Sequence, residues 1–197
     1  GFPSALHTLE SPAGHGAWLI NAGFGTGSTA PLGYDYDVPH GQQTCSGSVS
    51  YDGGSPGFHY AVGEGFGIAV RFTPPSYPWT INQAEFWPWS NTVGLAFEVH
   101  VWDDNGAGGL PGADLITPVV HNATTTDDWE LVSLPSITIQ SGDFYIGWIQ
   151  TSGGLYYNAV DDDSTFTGRS YVFGPSGWVT LSSLGDDRDA MIRQSCR

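Results

Sequence analysis

Asp103, Asn105 and Asp114 fall at positions 1, 3 and 12 of a twelve-residue loop, with Gly108 at position 6, where an EF-hand turns sharply. Oxygens at that spacing suit a hard cation. Position 5 is Ala107 and the flanking segments read as strands, so the chemistry expected is a simpler Ca²⁺ loop completed by backbone carbonyls. The competing expectation is an Asp/Asn/Gly turn whose side chains cap backbone amides. Further acidic groups stand at Asp161-Asp162-Asp163, Asp186-Asp187-Asp189, Asp127-Asp128 and Asp35-Asp37. Adjacent carboxylates repel unless a cation or hydrogen bonds compensate. Asp161 and Asp163 therefore join the candidate ligands, with a solvated turn as the plainer reading.

A second chemistry is stacking. Along Leu95 to Trp102 the inward set is Leu95, Phe97, Val99 and Val101, which turns Glu98, His100 and Trp102 to the other face. An indole flanked by polar side chains suits a sugar, whose C–H face stacks on the ring while its hydroxyls find acceptors. Trp87 and Trp89 alternate with Glu85 in the same way, and Tyr156 adds a candidate. Each of these rings could instead pack beneath a loop.

Catalytic constellations are poor. Gly53-Gly54-Ser55-Pro56-Gly57 matches G-x-S-x-G, but a nucleophile elbow needs a following helix, which Pro56-Gly57 in a turn does not supply. Neither H-E-x-x-H nor a P-loop is present, and the six histidines are scattered. A glycan hydrolase would need two carboxylates across one cleft, with Glu85 and Glu98 as the pair to consider. All five basic residues are arginines, so no lysine exists for a Schiff base. Twenty Asp and Glu against those five give a net charge of −15, which excludes a phosphate backbone as partner.

The elements that position these residues are strands. Twenty-eight glycines, thirteen prolines and 14% aromatics favour strands joined by tight turns over helices. Ile68, Val70 and Phe72 share one face, and so do Phe144, Ile146 and Trp148. Shorter strands are expected at Trp129 to Leu134, Ile137 to Ile139, Leu155 to Ala159, Ser170 to Phe173, Trp178 to Leu181 and Ala190 to Gln194. Many short strands without helical periods predict an all-β, two-sheet antiparallel sandwich of jelly-roll type over residues 49–197. Residues 1–48 read as a Gly/Ser-rich N-terminal arm carrying the apolar Phe2, Leu6, Leu9, Trp18, Leu19 and Ile20.

No apolar stretch approaches a membrane span of about 20 residues. The start at Gly1 reads as a mature secreted chain whose signal peptide is gone. Cys45 and Cys196 lie near the two ends of the best-patterned region, where a disulfide would close in an oxidising compartment; two buried thiols are the alternative. Asn122-Ala123-Thr124 is an N-glycosylation sequon.

The succession Tyr51-Asp52-Gly53-Gly54-Ser55, Ala69-Val70-Arg71-Phe72-Thr73-Pro74-Pro75, Val99-His100-Val101-Trp102-Asp103-Asp104-Asn105-Gly106, Leu110-Pro111-Gly112, Gly142-Asp143-Phe144-Tyr145-Ile146-Gly147-Trp148, Arg169-Ser170-Tyr171 and Met191-Ile192-Arg193 resembles a β-sandwich domain of bacterial secreted and cell-surface proteins. It is similar to gingipain-type adhesin modules and jelly-roll carbohydrate-binding modules. The resemblance implies a non-catalytic module, beside a catalytic or sorting domain, that binds glycans or surface proteins outside the cell. Three functions are therefore expected in order: a calcium-stabilised binding or adhesion module; a self-assembling subunit of an extracellular filament or surface layer, whose arm residues Phe2 to Ile20 donate a strand to the next copy; and a glycan-active hydrolase.

Overall fold

The computed structural model describes residues 45–89, 92–154 and 156–196, with the backbone alone at 156 and 157. Twelve strands run through these residues: β1 (Pro56–Val62), β2 (Gly67–Phe72), β3 (Trp79–Phe86), β4 (Ala96–Asp103), β5 (Val119–Asn122), β6 (Glu130–Ile139), β7 (Phe144–Gln150), β8 (Tyr156–Asp161), β9 (Ser170–Gly174), β10 (Gly177–Thr180), β11 (Asp189–Ala190) and β12 (Ile192–Ser195). Two short 3-10 turns, Ala107–Gly109 and Leu181–Leu184, are the helical pieces among the described residues. The predicted all-β sandwich is what forms.

One layer is a six-stranded antiparallel sheet in the order β10-β9-β2-β7-β4-β5. The other combines β1-β8-β11 with β12-β3-β6. These two groups are stitched together because the last strand changes partner. Asp189 and Ala190 pair with Asp161 and Val160, whereas Ile192 to Ser195 pair with β3. At the switch, Met191 donates to the Ala159 carbonyl and accepts from the Trp87 amide.

Alternation builds the core between the layers. Ile68, Val70 and Phe72 of β2, Phe97, Val99 and Val101 of β4, and Phe144, Ile146 and Trp148 of β7 are buried on the inner side of the large sheet. Facing them are Trp79, Ile81, Ala84 and Phe86 of β3, Val132 and Leu134 of β6, and Ile192 of β12. Phe86 and Phe97 meet edge to face across the layers at 5.9 Å.

Two strands depart from the sequence expectation. In β3 the inward residues are 79 and 81, then 84 and 86, because a bulge between Ile81 and Gln83 resets the phase. The segments expected at Trp129 to Leu134 and Ile137 to Ile139 are one strand, β6, which runs through Pro135; as an edge strand pairing only with β3, it tolerates a residue without an N–H. Cys45 and Cys196 are joined by a disulfide, with Cα atoms 5.6 Å apart.

Candidate functional site

With the core residues of the large sheet turned inward, strand register assembles its outer face. Trp102 lies opposite Tyr145, His100 opposite Gly147, Arg71 opposite Tyr145, and Ala69 between Gly147 and Tyr171. Phe173 and Trp178 pair on the outermost strands. The middle of this face is small, because Gly67, Ala69 and Gly147 occupy it. Rings from both sides lie over that floor: Trp102, Tyr145 and Tyr171 pack with Ala69 into a second apolar cluster, rimmed by Leu110, Ile149 and Trp178.

The rings form a continuous layer. His100 stacks on Trp102 at 4.6 Å and 8°. Trp102 meets Trp178 edge-on at 5.0 Å, and Trp178 meets Phe173 at 5.2 Å. Tyr145 and Tyr171 cross at 5.2 Å. Trp102 is 6% exposed and Tyr171 8%, whereas Trp178 and Phe173 are half-buried and present ring surface to solvent. Burial and the neighbouring Tyr171 push the Tyr145 phenol above its ordinary pKa, so it serves as a neutral donor to the Gly109 carbonyl at 2.5 Å.

Polar groups edge the layer. His100 Nδ1 lies 2.7 Å from Asp114 Oδ1, and its Nε2 lies 3.8 Å from Glu98 Oε2. Arg71 Nε sits 2.6 Å from Asp143 Oδ2, and its Nη2 sits 3.8 Å from Asp104 Oδ2. Burial opposes the Arg71 charge, but Tyr145, Asp143 and Tyr171 outweigh it and raise the pKa.

Of the predicted stacking residues, Glu98, His100 and Trp102 share this face. Trp87 and Trp89 do not, since they prolong β3 in the other layer. There Trp87 packs edge-on to Trp129 at 5.2 Å and Trp89 lies over His59 at 5.5 Å. Tyr156 lies on β8, again in the other layer, paired with Val62. Sequence reasoning missed Trp178, Phe173, Tyr171 and Arg71. The signal available was the alternation Arg169, Tyr171, Phe173, which puts two rings on one face of β9 and an arginine in the same phase just before it.

The candidate metal ligands are engaged with the protein. Asn105 donates to Asp103 Oδ2 at 2.9 Å and accepts from the Ala113 amide at 2.9 Å, while Asp114 faces His100. Asp161 accepts from the amides of Gly53, Asp163 and Ser164. Burial opposes its ionisation, but these amides win and lower its pKa. Asp163 is raised, chiefly by its hydrogen bond with Asp161. Among the described residues no three His, Cys, Asp or Glu side chains gather into a metal-holding group.

At the sequon, Thr124 is tied to Glu130, a buried carboxylate that also accepts from His121 Nε2 at 2.6 Å, from the Thr124 amide at 3.0 Å and from the Thr125 amide and hydroxyl at 2.7 Å each. Burial alone would raise its pKa; His121 and the threonine donors bring it down to about 2.

Glu85 and Glu98 cannot flank one bond. They point outward from different layers, beside inward Ala84 and Phe86 in one case and Phe97 and Val99 in the other. The G-x-S-x-G serine is followed by β1 and not by a helix. Phe2, Leu6, Leu9, Trp18, Leu19 and Ile20 lie outside the described residues.

The molecule is thus an all-β sandwich carrying an aromatic layer outside its core. No family model matches the chain. Bacillopeptidase F of Bacillus subtilis (strain 168) is 26% identical over 159 residues, a stretch that covers 75% of this chain and 11% of that protein, so the chain spans about a tenth of the relative's length. Among solved structures, the cysteine protease and lectin-like domains of Cwp84, a surface-layer-associated protein of Clostridium difficile, align with a TM-score of 0.57 and 13% identity, over 68% of this chain and 32% of that one. Clostridial Cwp84 after propeptide cleavage aligns with a TM-score of 0.55 at 13% identity, over 68% of this chain and 36% of that one. At that identity the likeness is one of fold.

Proposed function

We propose that this chain is a non-catalytic, cell-surface binding module that takes a glycan on the outer face of its six-stranded sheet. The observation that carries the reading is the aromatic layer itself. A two-layer sandwich closes its core with its inner faces, so the run His100, Trp102, Trp178, Phe173 is an aromatic layer outside that core, its inner rings buried and Trp178 and Phe173 left part-open to solvent. Trp178 and Phe173 offer ring faces for sugar C–H groups, and Glu98, Asp114 and Asp143 offer acceptors for hydroxyls.

Two further points support it. The solved neighbours come from a surface-layer-associated protease with a lectin-like domain, and the curated relative is a peptidase of which this chain matches a small part. Both fit a module that accompanies a catalytic domain. The separation of Glu85 from Glu98 supports the non-catalytic part of the reading.

The test is titration calorimetry with neutral and acidic oligosaccharides. Trp178→Ala is expected to weaken binding about tenfold, the equivalent of one lost stacking contact, and to lower the melting temperature by several degrees through its lost contacts with Trp102 and Phe173 while the domain stays folded. Unchanged affinity in both Trp178→Ala and Phe173→Ala removes the face from the reading.

A further inference from the structure

At one end of the aromatic face two arginines stand side by side. Arg71 follows Val70, which pairs with Ser170, and its amide donates to the Arg169 carbonyl at 2.9 Å, so Arg71 and Arg169 are direct cross-strand neighbours. Like charges in that position destabilise a sheet unless something compensates. For Arg71 the compensation is Asp143 and Asp104. Arg188 likewise pairs with Asp186, and Arg193 with Asp52. Arg169 makes no ion pair with a carboxylate among the described residues, and Asp143, the carboxylate across the hollow, is engaged by Arg71.

Its position is nevertheless held firmly. The guanidinium lies over the Tyr51 ring at 4.4 Å, and Nη1 donates to Thr73 Oγ1 at 3.0 Å and to the Arg71 carbonyl at 3.3 Å. The donors on Nε and Nη2 have no partner among the described residues. Arg169 opens on a polar hollow of about 290 Å³ lined with Arg71, Asp143, Thr167, Gly168 and Tyr171. Thr167 gives its amide and hydroxyl to Asp189, which leaves the two guanidinium groups as the charged donors of the hollow, beside the Tyr171 phenol.

We infer that this hollow binds a carboxylate of the ligand, so that the preferred glycan is one containing hexuronic acid. The inference rests on the glycan reading above and names the class of sugar. Arg169 is pre-ordered by Tyr51 and Thr73 and keeps a fork of N–H donors for a planar carboxylate. Tyr171 and Phe173 alternate along one face of β9 and Arg169 stands just before its first residue in the same phase, about 7 Å apart per step, so a chain anchored at the hollow runs directly over the exposed rings. Asp143 repels a misplaced carboxylate and accepts from hydroxyls, which narrows where the anion can sit. In a chain with twenty acidic residues and five basic ones, two adjacent arginines with one left uncompensated form a local reversal of sign.

The experiment uses the folded chain with short oligomers of galacturonate, glucuronate and mannuronate, the fully methyl-esterified form of each, and a tri-glutamate peptide. At least one uronate is expected to bind tenfold or more tightly than its own methyl ester. Arg169→Gln should erase that preference while leaving the ester's affinity unchanged, Arg169→Lys should restore part of it, and Trp178→Ala should weaken acid and ester alike. If every acid and ester bind equally, or if Arg169→Gln keeps the preference, the carboxylate assignment is overturned and the glycan reading survives. Tri-glutamate binding as tightly as the best uronate, indifferent to Trp178→Ala, overturns the sugar class. Failure of every uronate and every ester to bind overturns the carboxylate assignment, and failure of the neutral oligosaccharides as well overturns the glycan reading.

Discussion

Glu130 shows how much one carboxylate can carry when the chain builds donors around it. His121, Thr124 and Thr125 hold its pKa at about 2 against an ordinary 4.5. A depressed folded-state pKa contributes stability that is present above the unfolded value and lost as pH falls from about 4.5 towards 2. The shift corresponds to about 3 kcal/mol. Glu130→Gln is expected to lower stability at pH 7 by about that amount and to flatten the dependence between pH 4.5 and 2, read from urea midpoints across that range. Asp189 acts in the opposite sense. Burial raises its pKa, so its ionisation costs stability at neutral pH, and the cost is relieved as pH drops below its raised value. The acid profile also contains Asp161, whose pKa is lowered, and Asp189→Asn separates the opposing contribution by steepening the loss of stability as pH falls.

At the scale of elements, the aromatic face depends on a floor without side chains. A Cβ built on Gly147 would stand 2.3 Å from the Ile68 carbonyl oxygen and 2.6 Å from the Ala69 Cβ. Both atoms belong to or adjoin the backbone of β2, so relief requires spreading β2 from β7. Gly147→Ala should therefore cost about 2–4 kcal/mol, whereas Gly153→Ala, which meets nothing within 4 Å, should fall within about 0.5 kcal/mol of wild type in the same thermal melts. These elements also show what a sequence can convey. β2, β4 and β7 alternate without interruption and are legible from period alone. β3 is not, because its bulge moves the inward set from odd to even positions, and β5 is four residues long with Val120 exposed. For the site, Glu98, His100 and Trp102 follow from one strand's alternation, but their meeting with Trp178 and Phe173 depends on β9, β2 and β7 lying in register between distant parts of the chain. Pairing order is not written in a local pattern, so Trp87 and Trp89 looked equivalent to Trp102 and lie in the other layer.

Over the whole molecule, a charge of −15 means that copies repel at low salt, and cohesion comes from the core and the one covalent link. Cys45 and Cys196 are 151 positions apart. Closing a loop of that size is worth up to about 4–5 kcal/mol on the chain-entropy model. At roughly 2–4 °C per kcal/mol for a domain of this size, reduction, or a Cys45→Ser and Cys196→Ser pair, is expected to lower the melting temperature by roughly 10 °C in a calorimetric scan. No change on reduction would place the stabilisation elsewhere. The same link decides how tension travels. When the chain is pulled from both sides, the load enters at Cys45 and leaves at Cys196, whose Cα atoms are 5.6 Å apart. Tension along the chain therefore passes through a covalent shunt and bypasses the strands, and roughly 500 Å of contour stays folded under it, which makes the domain an inextensible link for a load applied through its two chain ends.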